Sequence, residues 1–174
     1  ISYCEKEIVQ KYGYRKISQV IKGGEKRQDS VFRGLKSLQQ KPEFVAIHDG
    51  ARPFLTAKLL ETIFEQAVKW GAAIPAIAVN DTLKMAEDGF VAHTLDRARI
   101  MAVQTPQIFA YDKLVKAYEK AYAKGFTGTD DASIYEQYYN PVKIVPGENR
   151  NIKITRSIDL IIARAFLQNQ NGPE

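Results

Sequence analysis

The sequence predicts an α/β fold in which helices cover both faces of a mostly parallel β-sheet. Short apolar runs alternate with amphipathic segments, as expected where helices connect the strands of a sheet. Phe44–Ile47 is nearly continuous in apolar residues, which is typical of a buried parallel strand. One segment interrupts this alternation, because Asp88-Gly89 between two alternating stretches is a strong hairpin signal. We therefore expect one domain over residues 1–174, with a projecting hairpin arm at about residues 80–97.

The periodicity of apolar residues places the other elements in order along the chain. Predicted strands cover residues 17–21, 44–47, 72–79, 142–145 and 152–154. Predicted helices cover residues 30–38, 111–124 and 157–167, with one more between an N-cap at Thr56 and a stop at Gly71 and a short one beginning near Asp130. Pro75 lies inside a predicted strand, which indicates a sheet edge, a bulge or an early break.

Composition narrows the classes of function. Hydrophobic residues make up 45% and charged residues 26% of the 174 residues, and no apolar run approaches the length of a membrane span. The single cysteine, Cys4, cannot form an internal disulfide, so the cytoplasm is the simplest location. The net charge of +5 comes from dispersed cations, which favours a small anionic ligand over nucleic acid or a membrane surface.

The first candidate site is the loop Gly-Gly-Glu-Lys-Arg-Gln-Asp-Ser at residues 23–30, which follows a predicted strand and begins a helix. Glycines let the backbone approach a ligand, and free N–H groups at a helix start attract phosphate or polar base edges. The alternative is a simple turn with Asp29 or Ser30 as the helix cap.

The second candidate site is the loop His-Asp-Gly-Ala-Arg-Pro at residues 48–53. It follows a buried strand, and ligands bind beyond the carboxyl ends of such strands. Arg52 offers a bidentate fork to phosphate, and Asp49 accepts hydroxyl groups or holds water on a metal ion. The alternative is an Asp–Arg surface pair that fixes a turn, and His48 is expected to be structural.

Local reasoning assigns less chemistry to four later segments. Residues 81–82 and 96–97 look like a turn and a solvated charge pair, and residues 104–107 look like a loop with one useful hydroxyl. In residues 151–155, alternation puts Lys153 on the polar face of a predicted strand, where a lysine is usually only solvated.

Taken together, these segments resemble a known family. The ordered motifs are Gly-Gly-x-x-Arg-x-Asp-Ser at 23–30, His-Asp-Gly-Ala-Arg-Pro at 48–53, Asp-Thr-Leu-Lys at 81–84, His-Thr-Leu-Asp-Arg at 93–97, Gln-Thr-Pro-Gln at 104–107, Thr-Asp-Asp-Ala-Ser at 129–133 and Asn-Ile-Lys-Ile-Thr at 151–155. Their order and spacing are similar to those of the 2-C-methyl-D-erythritol 4-phosphate cytidylyltransferase family of non-mevalonate isoprenoid biosynthesis. The match covers essentially the whole chain.

The resemblance implies a Rossmann-like fold, a homodimer clasped through the hairpin arms, and transfer of CMP from CTP to a polyol phosphate with release of pyrophosphate. It implies Mg²⁺ bound mainly through the CTP phosphates, with no metal-ligating residue assigned in the chain. Catalytic positions fall on Lys153 and Arg97. Substrate positions fall on Asp49, Arg52, Thr82 and Thr105, and the resemblance places Thr82 and Arg97 in the partner subunit's site. Nucleotide positions fall on Gly24, Glu25, Ser30 and Gly50, although some family members have Asp where this chain has Glu25.

Members of this family begin with three features that have no match before Ile1: a strand, a glycine-rich loop with an Arg, and a downstream Lys. We therefore expect the chain to be N-terminally incomplete, to carry half a site, and to turn over poorly alone. Two alternatives to the proposed substrate and activity stay open: a ribitol or ribulose 5-phosphate cytidylyltransferase, and a non-catalytic nucleotide-binding module.

Overall fold

A five-stranded sheet and a separate hairpin organise residues 1–168, the part of the chain that the computed structural model describes. The strands are β1 (Phe44–Ile47), β2 (Ala72–Ala78), β3 (Lys84–Glu87), β4 (Phe90–Thr94), β5 (Met101–Val103), β6 (Gln107–Ala110) and β7 (Lys143–Pro146). In the main sheet β6 lies between β1 and β2, β5 pairs with the far end of β2, and β7 pairs with the opposite edge of β2.

Most helices begin and end close to where the sequence predicts, but the helical segment at residues 2–10 is not among the predicted ones. They are α1 (Ser2–Cys4), continued by a π-helical segment at Glu5–Gln10, α2 (Arg27–Ser37), α3 (Ala57–Trp70), α4 (Tyr111–Ala123), α5 (Asp131–Glu136) and α6 (Ser157–Gln168). The Thr56 hydroxyl accepts a hydrogen bond from the Leu59 amide at 3.1 Å, which caps α3. Gly71 ends this helix with a φ of 84°, a left-handed conformation that favours glycine. None of the helices within residues 1–168 combines the length and apolar character that crossing a bilayer requires.

Helices pack against both faces of the sheet, as predicted. Alternate residues of β2 face opposite sides: Ala72 packs with a core built from α2, α4 and α5, whereas Ala73 packs with a core built from α3. Residues of β6 divide in the same way, with Phe109 in the first core and Ile108 in the second. Because successive strand residues point to opposite faces, these two cores identify a sheet covered on both sides. The α/β class is therefore confirmed.

The strand directions differ from the mostly parallel sheet that the sequence suggests. β6 is antiparallel to both β1 and β2, and β5 is antiparallel to β2, whereas only β7 is parallel to β2 within the described residues. The physical reason is the hairpin arm. The chain leaves β2 into the arm and re-enters the sheet at the carboxyl end of β2, so β5 and β6 run back beside it in the opposite direction. These two strands were missing from the sequence prediction.

Pro75 lies in an interior strand, and the expectation of a sheet edge at this residue is wrong. Its carbonyl oxygen accepts a hydrogen bond from the Gln104 amide at 2.8 Å. A strand residue points its N–H and C=O to the same side, so the missing N–H of Pro75 faces the break between β5 and β6. The proline therefore removes no ladder hydrogen bond that an uninterrupted partner strand would need.

Two predicted strands do not form among the described residues. Residues 17–21 and 152–154 carry no regular strand, although the Ile154 amide donates to the Ala51 carbonyl at 2.9 Å. Apolar alternation selects residues that fit a pleated surface, but a strand also requires a neighbouring backbone along its whole length. Neither segment has such a neighbour in residues 1–168.

The hairpin arm is confirmed as a separate two-stranded sheet of β3 and β4. Asp88 and Gly89 connect its strands with φ angles of 50° and 84°, as a tight hairpin turn requires. Every residue of β3 and β4 is exposed. The arm thus receives almost no burial from the chain that carries it.

Candidate active site

A polar pocket of about 400 Å³ opens beyond the carboxyl end of β1, beside the break between β5 and β6. The loop after β1 contributes Asp49 and Arg52, the break contributes Thr105, and the segment before α6 contributes Lys153. These are four of the residues that the family resemblance assigns to the sugar phosphate. Folding brings them together from three separate parts of the chain.

Asp49 is the centre of the charge distribution in this pocket. Lys153 Nζ lies 2.9 Å from Asp49 Oδ2, and Arg52 Nε lies 3.8 Å from the same oxygen. Arg27 Nε lies 3.5 Å from the other oxygen, Oδ1. Three cations therefore surround Asp49, and two further carboxylates, Asp130 and Glu136, also line the pocket.

The ionisation of Asp49 follows from these contacts. Burial raises its pKa, but the hydrogen bond from Lys153 and the charges of Lys153, Arg27 and Arg52 outweigh burial, so the pKa of Asp49 lies below its ordinary value. Burial lowers the pKa of Arg52, and the charge of Asp49 only partly offsets that effect. Asp49 is therefore an ionised hydrogen-bond acceptor at neutral pH.

Hydrogen bonds hold the loop after β1 in place. The Thr105 hydroxyl accepts from the Asp49 amide at 3.0 Å and lies 3.0 Å from His48 Nδ1. His48 Nε2 lies 3.0 Å from the Arg52 carbonyl oxygen, which can only accept. In a neutral imidazole, Nε2 then donates to Arg52 and Nδ1 accepts the Thr105 proton. His48 thus has the structural role expected of it, and Thr105 keeps an acceptor lone pair for a ligand.

The half-buried guanidinium of Arg52 ties the same loop to the segment before α6. Arg52 Nη1 donates to the Asn151 carbonyl at 2.6 Å, whereas its buried Nε has no hydrogen-bond partner among residues 1–168. Asn151 is itself fully buried and donates through Nδ2 to the Thr105 carbonyl at 2.9 Å. The position of Arg52 is therefore fixed by the segment that carries Lys153.

Sequence reasoning missed several polar residues that line or support the pocket. Gln107 Nε2 donates to Asp130 at 2.7 Å, and Gln107 Oε1 accepts from the Ala132 amide at 3.0 Å. Gln104 Nε2 donates to the Glu148 carbonyl at 2.9 Å. Both glutamines belong to the Gln-Thr-Pro-Gln motif, in which only the hydroxyl was assigned a use. Their side-chain hydrogen bonds connect the break between β5 and β6 to the loop before α5 and to the loop after β7.

A second missed group links Arg27 to the buried core. Arg27 Nη2 donates to Asp131 Oδ2 at 2.7 Å, and the Tyr118 hydroxyl donates to Asp131 Oδ1. Asp131 is 0% exposed. Arg27 is the arginine of the Gly-Gly-x-x-Arg motif and Asp131 is the second Asp of Thr-Asp-Asp-Ala-Ser, so both motifs contained the signal.

The residues assigned to the nucleotide lie around the start of α2 and the loop after β1, outside the lining of the pocket. The Gly24 amide donates to the Ser30 hydroxyl at 3.0 Å, and a Cβ on Gly24 would lie 2.1 Å from Asp29 Cβ. Gly24 therefore makes the close turn into α2 possible. Glu25 is exposed, and a Cβ on Gly50 would meet no atom within 4 Å. No bond between either residue and the pocket is present in the described chain.

Thr82 and Arg97 lie at the base of the arm and away from the pocket of their own chain. Both are exposed, and Arg97 Nη1 donates to the Asn80 carbonyl at 2.6 Å. Neither residue lines the pocket around Asp49. Contacts within one chain therefore do not support their assignment to a substrate site.

Three carboxylates near the pocket, those of Asp49, Asp130 and Asp131, are engaged by protein donors. Asp49 is paired with three cations, Asp130 accepts from Gln107 and from the Ser133 amide at 2.8 Å, and Asp131 accepts from Tyr118 and Arg27. Within residues 1–168, no three His, Cys, Asp or Glu side chains are grouped so that they could hold a metal ion. The donors present therefore do not form a protein cage for a divalent cation.

Comparison with known proteins gives a consistent result over nearly the whole chain. The family model described as 2-C-methyl-D-erythritol 4-phosphate cytidylyltransferase matches residues 3–169. The protein of that name from Geobacillus thermodenitrificans is 45% identical over 161 residues, which are 92% of this chain and 70% of the relative. The one from Syntrophus aciditrophicus is 46% identical over 171 residues, which are 98% of this chain and 73% of the relative.

Solved structures agree with the sequence comparison. The 4-diphosphocytidyl-2C-methyl-D-erythritol synthase from Anaerococcus prevotii has a TM-score of 0.86 at 36% identity, over 97% of this chain and 74% of that one. The 2-C-methyl-D-erythritol 4-phosphate cytidylyltransferase from Thermus thermophilus has a TM-score of 0.78 at 36% identity, over 85% of this chain and 72% of that one.

Proposed function

This chain belongs to the 2-C-methyl-D-erythritol 4-phosphate cytidylyltransferase family, and from that premise we propose that it transfers CMP from CTP to 2-C-methyl-D-erythritol 4-phosphate and releases pyrophosphate. The observation that carries the assignment of the site is the cluster of Lys153, Arg52 and Arg27 around Asp49. Two phosphorylated substrates repel each other, and fixed positive charge reduces that repulsion where they meet.

The reaction needs positioning more than covalent help from the protein. An oxygen of the 4-phosphate forms a bond to the α-phosphorus of CTP, the bond from that phosphorus to the bridging oxygen breaks, and pyrophosphate leaves with the electron pair. Lys153 is 44% exposed and can turn its ammonium from Asp49 towards the incoming phosphate. Asp49 accepts hydroxyl groups of the polyol, and Thr105 offers its remaining lone pair. These groups hold the attacking oxygen in line.

We propose that Mg²⁺ enters with CTP and is bound mainly through its phosphates. Magnesium sites in nucleotide enzymes commonly combine few carboxylates with substrate phosphates. Three carboxylates around this pocket, those of Asp49, Asp130 and Asp131, are already engaged by protein donors, which supports a metal held mainly by the nucleotide. When bound, such an ion would supply positive charge to the phosphates.

We also propose that the protein is a homodimer in which the arm of each subunit reaches the pocket of its partner. The exposed strands β3 and β4 support this proposal, because an isolated two-stranded hairpin is only marginally stable in water. Thr82 and Arg97 would then join Asp49, Arg52 and Lys153 in one composite site, with Arg97 aligning the attacking phosphate. We place the enzyme in the cytoplasm, since its single cysteine fits a reducing compartment.

The test is an assay of the complete gene product with CTP and 2-C-methyl-D-erythritol 4-phosphate, followed by pyrophosphate release. We expect release that depends on both substrates. A competing assay with ribitol 5-phosphate and ribulose 5-phosphate separates the nearest alternative, and no finding favours those substrates. Binding of CTP with no pyrophosphate release for any of the three substrates would instead identify a nucleotide-binding module.

A further inference from the structure

Arg27 contributes positive charge to the pocket in the reaction proposed above, and its guanidinium also bridges two carboxylates. Nη2 lies 2.7 Å from Asp131 Oδ2 and Nε lies 3.5 Å from Asp49 Oδ1. The two contacts use different nitrogens of one planar group. A planar fork of this kind can hold two acceptors in a fixed relation, which a lysine ammonium does less well.

Asp131 is the fixed end of this bridge. Its side chain is 0% exposed, and one oxygen accepts from the Tyr118 hydroxyl while the other accepts from Arg27. Burial and the neighbouring charge of Asp131 raise the pKa of Tyr118, so this hydroxyl stays protonated and continues to donate. Burying a carboxylate destabilises the fold unless the group is paired and hydrogen-bonded. The ion pair between Asp131 and Arg27 is therefore expected to be retained.

Asp49 is the other end of the bridge, and cations contact both of its oxygens. Lys153 contacts Asp49 Oδ2 and Arg27 contacts Oδ1, with the Lys153 side chain 44% exposed and the Arg27 side chain 36% exposed. Arg52 is fixed by Asn151 and lies 3.8 Å from the oxygen that Lys153 uses. When Lys153 turns to a phosphate, Arg27 is the cation left on Oδ1.

We propose that Arg27 is a positioning residue, anchored by Asp131 and Tyr118, that holds Asp49 in place so that Lys153 can leave Asp49 for the substrate phosphate. The inference rests on the proposed function for the identity of that phosphate. Without the bridge, Asp49, whose side chain is only 15% exposed, would keep Lys153 and Arg52 as its only cationic partners within residues 1–168, both at Oδ2, and Lys153 would stay engaged with it. The bridge therefore frees a cation for the ligand.

Substitution of Asp131 distinguishes positioning from simple charge. Removing a negative charge near Asp49 lowers the pKa of Asp49 if charge alone matters, because its carboxylate then meets less repulsion. If Asp131 anchors Arg27, its loss releases the guanidinium from Asp49 and the pKa of Asp49 rises. The two accounts therefore predict shifts of opposite sign in Asp131→Asn.

The experiment is an NMR titration of the Asp49 carboxyl carbon, assigned by the loss of its signal in Asp49→Asn. We expect the pKa of Asp49 to rise in Asp131→Asn and also in Arg27→Lys, which keeps the charge but loses the fork. A fall or no change in either folded variant overturns the inference. Arg27 lies at a partly exposed helix start, so Arg27→Lys is expected to fold. This variant therefore still tests the inference if Asp131→Asn does not fold.

The matched control is Lys36→Gln, which removes another ion pair of α2, to Glu119 at 3.2 Å, on an exposed surface. It should leave the Asp49 titration unchanged. Calorimetry with 2-C-methyl-D-erythritol 4-phosphate adds a ligand measurement: its Kd should rise about tenfold in Arg27→Lys and stay unchanged in Lys36→Gln. An unaltered Kd in Arg27→Lys contradicts the inference. If the unaltered protein binds no polyol phosphate, the proposed function fails, while the Asp49 titration still decides the role of Arg27.

Discussion

The pocket around Asp49 and the arm of β3 and β4 differ in how much of their structure one chain supports. The pocket is held by Asn151, Thr105 and Gln107, all of them buried, and by hydrogen bonds that join distant segments. The arm has only its own ladder and turn, and every one of its strand residues is exposed. Contacts within one chain are enough to hold the pocket residues in place before a ligand binds. The arm lacks such contacts, which is what we expect of a segment that packs against a second subunit.

The first prediction compares the two regions by removing one phenylalanine from each. Phe109→Ala removes a side chain that is fully buried beside Tyr135, whereas Phe90→Ala removes one that is 79% exposed on the arm. We expect Phe109→Ala to lower the free energy of unfolding by about 3–5 kcal/mol. Phe90→Ala should change it by less than about 0.5 kcal/mol in the monomer. Chemical denaturation measures both, and similar losses would show that the arm is packed after all.

The second prediction concerns Lys153, the most exposed cation of the pocket. Lys153→Ala should lower kcat by about 10²–10³, by analogy with the loss of one donor aimed at charge that grows in the transition state. Lys153→Arg should restore little, because a planar fork does not replace a compact ammonium. Lys116→Ala on the exposed face of α4 is the control. Steady-state kinetics of the complete gene product decide, and a kcat within a few-fold of the parent excludes this role.

The third prediction tests whether the arm depends on a second subunit. Val91→Asp puts a charge on an exposed strand that the fold of its own chain does not bury. If the arm packs on a partner, this buried charge should weaken dimerisation by at least about tenfold. Analytical ultracentrifugation measures the dissociation constant. Lys58→Asp on α3 is the control, and equal effects of both variants would disconnect the arm from the interface.

The smallest expected effect comes from acid. The pKa of Asp49 is depressed in the folded protein, so the stability that this carboxylate contributes is present above its unfolded value of about 3.9 and is lost as the pH falls through the folded pKa. Asp49→Asn should therefore flatten the acid side of a plot of thermal midpoint against pH, below about pH 4. An acid limb with the same slope in both proteins would indicate that other carboxylates account for it.

Local signals predicted much of the fold. Asp88-Gly89 identified the arm, and Thr56 and Gly71 marked the ends of α3, because turn and cap chemistry is carried by residues adjacent in sequence. The antiparallel strands β5 and β6 could not be recognised in this way. Their pairing with β2 depends on where the arm returns the chain, which no short pattern encodes.

The candidate site shows the same limit. The family resemblance selected Asp49, Arg52, Thr105 and Lys153, which fold into one pocket, but it assigned nothing to Arg27 or Asp131. These two residues are 104 positions apart, so their contact cannot be derived from spacing. Both residues belong to motifs of the family, but the motifs do not indicate that Arg27 and Asp131 form an ion pair.

Mixing two inactive variants tests the composite site most directly. Asp49→Ala disables the pocket and Arg97→Ala disables the arm, while both chains should still fold because neither residue belongs to the core. After subunit exchange at equal concentrations, half of the dimers are mixed and each mixed dimer holds one intact site. The account therefore predicts recovery of about a quarter of the parent activity. Activity of the exchanged mixture no higher than that of either variant alone would contradict a site shared between pocket and arm.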